Sequence, residues 1–433
     1  MGGLLWPVVL AIHIVTSSGG PPDRADSSTT ALRQDISASL DTLRLRDPEL
    51  TVARTRSSFD SAARELFALP ATTPRHRLIL KWAEVIATLH DGHTQLGLAR
   101  DSAIGFHQFP IRTYWFEEGF FITSVISGYE RLLGAQLLSI DGVPVAQVVA
   151  RITPIIHGDN ASAVRSILPS RTTLGEVLEG SGVTREINHA VFTLRLTDGK
   201  TENVSLSGFR VGTDVKWVLA RERLAHAPLY LSNTSAPYWY AYIDSAKTLY
   251  VQYNSVENDA NNSFDAFCAR LFRAVDSLGA ERLVLDIRNN NGGDNTILRP
   301  LERGLINSRL NRPGHLYVVI GRLTFSAAVN LAADLEKWTA ATFVGEPTAA
   351  PANHYGETQA LKLPRTGILL LYSSLFYQSV GNPKDTRESI SPAMSIPVRT
   401  ADYFAGRDPV LEAILRQPAV TSHISRNSPN SRL

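Results

Sequence analysis

The feature that most limits how this chain can fold is a set of near-continuous apolar runs in its second half. Leu249-Tyr250-Val251-Gln252-Tyr253, Arg282-Leu283-Val284-Leu285-Asp286-Ile287 and Leu316-Tyr317-Val318-Val319-Ile320 lack the polar alternation of a strand with one wet face. Strands of that kind are buried on both sides. The segments between them, such as 264–278, carry apolar residues at helical spacing. The pattern therefore predicts a sheet covered on both faces by helices.

The rest of the chain reads differently. Between Ala31 and His90 apolar residues recur at three and four positions, among them Leu40, Leu43, Phe59, Leu66, Leu78, Trp82 and Ile86, with breaks at Pro70 and Pro74. This is the signature of a small helical bundle. Past His93 the texture changes to short runs such as 119–125 and 135–140, the latter ending in the turn dipeptide Asp141-Gly142. A second turn, Asp198-Gly199, joins candidate strands at 190–196 and 204–209, so this stretch reads as mostly β. A chain of 433 residues is long enough for several folded units. We expect a helical amino-terminal domain over 31–97, a β domain over 98–215 and an α/β core over 216–417.

The ends carry less. Leu4 to Val15 is an apolar run too short to span a bilayer, followed by small residues through Gly20, which predicts an export signal over 1–20 and a Pro/Ser-rich linker over 21–30. The expected location is secreted or periplasmic, with no stable membrane anchor. Asn160, Asn203, Asn233 and Asn261 stand in Asn-x-Ser sequons, and the Ser/Asn/Arg-rich tail 418–433 is expected to be disordered. The formal charge of +2 is scattered, so no nucleic-acid partner is expected. The only cysteine, Cys268, lies on an apolar helix face and excludes a disulfide framework. No zinc spacing, phosphate loop or dinucleotide fingerprint occurs, so no metal or cofactor is expected.

Two segments concentrate chemical potential. In Asp286-Ile287-Arg288-Asn289-Asn290-Asn291-Gly292-Gly293 a buried strand ends in polar residues and paired glycines, which let a backbone approach a ligand and present N–H groups to it. It is equally the pattern of an ordinary glycine turn. In Gly321-Arg322-Leu323-Thr324-Phe325-Ser326-Ala327-Ala328 a strand gives way to a helix that Ser326 opens, beside free backbone N–H groups and the positive end of the helix dipole. A serine there is equally a simple helix cap.

Taken together and in order, Asp286-x-Arg288-x-Asn290-x-Gly292-Gly293, then Thr324-Phe325-Ser326-Ala327-Ala328, then Val344-Gly345-Glu346-Pro347-Thr348, resemble the catalytic core of the tail-specific family of serine peptidases. That family includes C-terminal processing proteases, the tricorn core protease and the interphotoreceptor retinoid-binding modules. The resemblance covers roughly 248–415, where Gly406 to Leu415 is similar to the family's closing helix. It implies a crotonase-like α/β core, a nucleophile at Ser326, and an oxyanion hole made by the N–H of Ala327 with that of Gly292 or Gly293. The stretch Gly134-Ala135-Gln136-Leu137-Leu138-Ser139-Ile140-Asp141-Gly142-Val143-Pro144-Val145 is similar to the PDZ domains these proteases carry. A PDZ-like module implies binding of peptide termini by strand addition.

The processing-protease branch uses a lysine base in Gly-x-x-Thr-x-Gly-Lys-Gly. Here the segment is Gly345-Glu346-Pro347-Thr348-Ala349-Ala350-Pro351, with proline at the lysine position, and Lys337 lies three turns along the following helix. The resemblance then points to histidine, and Asp91-Gly92-His93-Thr94 is similar to the motif of the tricorn and retinoid-binding branch. His93 is the expected base, with His90 and His354 as substitutes. A histidine base takes an orienting carboxylate, and the matching acidic segment downstream offers Asp385, slightly ahead of Glu388. The tricorn enzyme has a serine where this chain has Gly92, which favours a simple triad. The expected function is peptide-bond hydrolysis on a peptide or protein substrate. The alternative is a non-catalytic module on the same fold, holding an apolar ligand or peptide termini.

Overall fold

A computed structural model describes residues 13–14 and 28–418. The export signal therefore lies outside the described residues except for His13–Ile14, whose backbone pairs in parallel with Gln359–Ala360. The tail beyond Pro418 lies outside them as well. No described helix is long and apolar enough to cross a membrane.

Helices α1 (Thr29–Arg46), α2 (Ala53–Phe67) and α3 (Arg75–Ala87) open the chain. Ser28 caps α1 by accepting from the Ala31 N–H, and α3 begins directly after Pro74, where the missing N–H costs nothing. Strands β1 (Ile111–Phe116), β2 (Gly119–Ile126) and β3 (Gln136–Ile140) come next, all antiparallel. Asp141 and Gly142 both take positive φ, as a tight turn out of β3 demands.

The stretch from Val143 to Gly180 is less β-rich than the sequence suggests. Val143-Pro144 forms only a short strand before α4 (Val145–Ile152), with Val148 and Ile152 on its buried face. Then come α5 (Ala161–Arg171) and α6 (Gly175–Gly180). The apolar run 143–152 carries its buried residues four apart, a helical spacing that a strand reading overlooks. Strands β4 (His189–Arg195) and β5 (Thr201–Ser207) extend the sheet beyond β3, and Trp217–Leu219 pairs with β2 on its other side. At the start of α5, Asn160 uses its amide oxygen to cap Ala163 and its amide nitrogen to bond the carbonyls of Thr348 and Glu388. That sequon's nitrogen is thus engaged within the fold.

The second half is the covered sheet. Strand β6 (Tyr238–Ile243) pairs antiparallel with β7 (Thr248–Tyr253), and β8 (Arg282–Asp286), β9 (Leu316–Ile320), β10 (Thr342–Gly345) and β11 (Met394–Ser395) add in parallel. Helices α7 (Phe264–Ser277), α8 (Arg299–Asn307) and α9 (Ala327–Trp338) lie on one face, and α10 (Pro409–Arg416) on the other. Alternate strand residues serve the two cores: Leu283 and Leu285 face the three helices, whereas Val284 packs with Val410 and Ile414. Cys268 is buried in the first of these cores, where burial pushes its thiol up to about 12 and makes it a packing residue.

A third core joins α1–α3 to the β1–β5 region without a break and takes in Leu363, Ile368, Leu370 and Tyr372 from the far part of the chain. The strand Leu369–Tyr372 pairs with Gln95–Leu96, which starts two residues after His93. Residues distant in sequence are thereby fixed around one short loop.

Candidate active site

Two strand ends build the site. β8 runs out at Asp286, and the Arg288 guanidinium turns back to bond both the Asp286 carboxylate and, through two N–H groups, that of Asp408. Asp408 also caps α10. This buried cluster ties the strand end to the closing helix, so the Asp-x-Arg part of the motif has a structural task here. Asn290 then links the two loops: its carbonyl accepts from Phe325 N–H (3.1 Å), its amide oxygen from Gly292 N–H (2.8 Å), and its amide nitrogen donates to Tyr253 O.

The second turn leaves β9 at Ile320. Thr324 pins it by accepting from Gly321 N–H and donating to Ile287 O. Ser326 then takes φ 52° and ψ −128°, a backbone state that side chains other than glycine's rarely adopt. Ser326 occupies the cap position of α9, yet its hydroxyl makes no capping bond. Among the described residues that hydroxyl, the Ala327 N–H and the Gly293 N–H have no protein partner, whereas the Gly292 N–H is taken by Asn290. The strained turn thus presents an unoccupied hydroxyl beside an unoccupied N–H at the positive end of a helix. Gly292 must be glycine, since a Cβ there would stand 2.6 Å from Ser326 Cβ and 2.8 Å from Ala327 N.

His93 is brought to this turn from the loop after α3. It is buried, and its ring stacks on Phe325, the residue before Ser326, at 4.2 Å between centroids. The His354 ring stacks near-parallel on it at 5.8 Å. Among the described residues both ring nitrogens of His93 lack a hydrogen bond, and His93 is not bonded to Ser326. The nearest carboxylate is Asp91, with Oδ1 3.7 Å from His93 Nδ1 and 2.8 Å from the His93 backbone N–H that it accepts.

The carboxylate beside His93 is thus not one of the acids that the sequence offered. Asp385 sits in an outer loop, bonded to Arg387, which in turn pairs with Glu336 on α9. Glu388 is exposed and contributes its carbonyl to Asn160. Neither contacts His93 among the described residues. Asp91 was visible in the Asp91-Gly92-His93-Thr94 motif, and its place two residues before the histidine, where an aspartate folds back on its own backbone, was the available signal.

Asp91 is held from several sides. Burial works to raise its pKa, but His93, Ser373 and Thr94 hold the carboxyl below its usual range. Thr94 and Ser373 both donate to Oδ2 at 2.6 Å. Thr94 Oγ1 also lies 3.0 Å from Asp47 Oδ2. One hydroxyl hydrogen cannot serve two acceptors. Burial, then repulsion from Asp91, lifts the Asp47 carboxyl to about 7, which lets Asp47 carry the proton toward Thr94. Asp159 accepts the Gly92 N–H, and burial and Asp91 raise its pKa well above the ordinary value. A Cβ at Gly92 would stand 2.6 Å from this carboxyl and 2.8 Å from the Phe325 ring, so a serine there would force Asp159 and Phe325 to shift.

The substitutes for His93 are placed differently. His90 is exposed with φ 53°. His354 is buried, with Nδ1 3.1 Å from Pro351 O, and burial followed by the charge of His93 pushes its pKa down to about 3. Lys337 lies near the far end of α9 with its ammonium over the Trp338 ring.

No protein-family model matches the sequence, and no curated protein matches it. Solved structures do. Mature CPAF complexed with lactacystin matches with a TM-score of 0.63 at 15% identity, over 89% of this chain and 97% of that one. Mature CPAF matches with a TM-score of 0.60 at 15% identity, over 89% and 96%. The tricorn protease gives a looser match, with a TM-score of 0.43 at 12% identity, over 90% of this chain and 36% of that one.

Proposed function

We propose that this chain, which has the fold of the tail-specific serine proteases, hydrolyses peptide bonds by acyl transfer through Ser326. The observation that carries this reading is the strained Ser326 turn, with a hydroxyl that caps nothing and an Ala327 N–H that bonds nothing. Strain kept at one residue of a well-packed turn needs a use that a helix cap does not supply.

In this reading Ser326 attacks the substrate carbonyl and His93 takes its proton, then returns it to the leaving amine. Asp91 orients His93 and stabilises the imidazolium, in place of Asp385 or Glu388. The oxyanion is held by Ala327 N–H with Gly293 N–H, because the Gly292 N–H is committed to Asn290. The His93 ring has to leave its stack on Phe325, or Phe325 has to turn aside, as substrate closes the site. The sheet flanked by α7–α10 supports a crotonase-like core, and the antiparallel sheet with α4 supports a PDZ-like module over part of 98–215. The substrate is a peptide or protein, met after export.

The alternative, a binding module without turnover, draws on the His93–Phe325 stack, which leaves Ser326 without a base in hydrogen-bonding reach. A pooled peptide library with cleavage products read by mass spectrometry separates the two. Cleavage by the wild-type chain and its loss in Ser326→Ala is the expected result; undiminished cleavage by that variant removes Ser326 from the reaction.

A further inference from the structure

A cavity of about 260 Å³ opens beside the serine turn, reaching Asn291 next to Gly292 and Phe325 next to Ser326. Its opposite wall is positive. Arg171, the last residue of α5, is 6% exposed, and among the described residues its only side-chain bond is from Nη1 to Ser170 Oγ at 3.1 Å. Nε has no partner, and no carboxylate pairs with Arg171 among the described residues. Arg100 stands at the mouth, also without a carboxylate. Arg322 touches the cavity too, but Glu346 already neutralises it. His157, buried in the same wall, has an unpartnered Nδ1. No aspartate or glutamate lines the space.

A buried, unpaired guanidinium is destabilising unless something supplies the opposite charge. Nothing in the described chain does so for Arg171. Arg171 lines a space that reaches Phe325, the neighbour of the proposed nucleophile, and a planar guanidinium matches a carboxylate through two parallel bonds.

We infer that this cavity is a specificity pocket for a carboxylate of the substrate, bound by Arg171 with Arg100 at the entrance. The carboxylate is an acidic side chain near the scissile bond or the free end of a peptide that stops there; both present the same group. The inference rests on Ser326 being the reacting residue, since that is what makes the cavity part of a substrate path.

Binding can be measured apart from turnover. The full chain carrying Ser326→Ala is immobilised and offered two pooled peptide libraries, one with free carboxyl ends and one amidated, each holding Glu/Gln and Asp/Asn at matched positions. Retained peptides are identified by mass spectrometry. The expected result is at least tenfold enrichment of carboxylate over amide, lost on adding Arg171→Met and reduced by Arg100→Gln. Enrichment confined to the free-ended library assigns the chain end, and enrichment in the amidated library assigns a side chain. No enrichment, or enrichment that survives Arg171→Met and Arg100→Gln, overturns the pocket. Arg100 is exposed, so its variant reports even where Arg171→Met disturbs folding. Loss of Ser326-dependent cleavage in the wild-type assay, with enrichment intact, fails the peptidase reading alone.

Discussion

Asp91 and His93 share one short loop, and the Asp91 carboxylate both accepts the His93 backbone N–H and lies 3.7 Å from its ring nitrogen. Thr94 and Ser373 fix that carboxylate from the other side. In the peptidase reading the residue that orients the histidine is its own near neighbour in sequence, supported from a segment far along the chain.

Asp91→Asn is therefore expected to lower peptide turnover by about 10⁴-fold, the cost of holding an imidazole in the wrong tautomer. Asp385→Ala and Glu388→Ala are expected to leave it within about threefold, since loss of outer-loop acids away from chemistry costs little. Steady-state cleavage of one peptide by the three variants decides the matter. Equal losses in Asp385→Ala would return the orienting role to the outer loop.

Gly292→Ala puts a methyl group against Ser326 Cβ and Ala327 N, at a residue with φ 98°. We expect turnover to fall at least about 10²-fold through damage to the oxyanion site, with a stability loss of about 1–3 kcal/mol from backbone strain. Gly279→Ala is the control: φ there is 60°, but nothing lies within 4 Å of the added carbon. That variant should lose about 1 kcal/mol and keep its turnover.

Stability should fall as pH rises through about 7 on account of Asp47. Its folded pKa of about 7 lies above the ordinary value of 3.8, so the folded chain holds this proton more tightly than the unfolded one. The contribution is complete below about pH 4 and lost through about 7, at up to about 1.4 kcal/mol per pH unit. Asp47→Asn keeps a neutral group facing Thr94 and should flatten that slope. Urea titrations of both chains at pH 5, 6 and 7 test it; parallel curves would exclude Asp47 as the source.

Removing the Asp408 carboxylate leaves the buried Arg288 with Asp286 alone and uncaps α10. Asp408→Ala should cost about 3–5 kcal/mol, as breaking one partner of a buried ion pair does. Denaturant midpoints at constant m-value give the number, and a loss under about 1 kcal/mol would mean the cluster is not coupled to folding.

Much of this was legible in the sequence because it depends on local pattern. The alternation of unbroken apolar strands with helices requires a covered sheet, and Asn290, Gly292 and Ser326 fall where strands end and backbone groups go unpaired. The acid beside His93 was harder to see. Asp385 and Glu388 suit the role by position in the chain, but Arg387 consumes one and solvent surrounds the other. Such competition is invisible until the loops have a shape. Ser373 carries no motif, and its meeting with Thr94 at Asp91 depends on strand Leu369–Tyr372 pairing with Gln95–Leu96. Arg171 reads as an ordinary basic residue closing a helix; only burial without a carboxylate beside it, among the described residues, sets it apart.

In the peptidase reading that same pairing sets when the site can be complete as the chain is made. Ser326 and its turn leave the ribosome before Leu369, Leu370 and Ser373, so a nascent chain can own a complete nucleophile turn while the Asp91–His93 loop still lacks its far support. In the peptidase reading the nucleophile turn is thus synthesised before the segment that steadies its base.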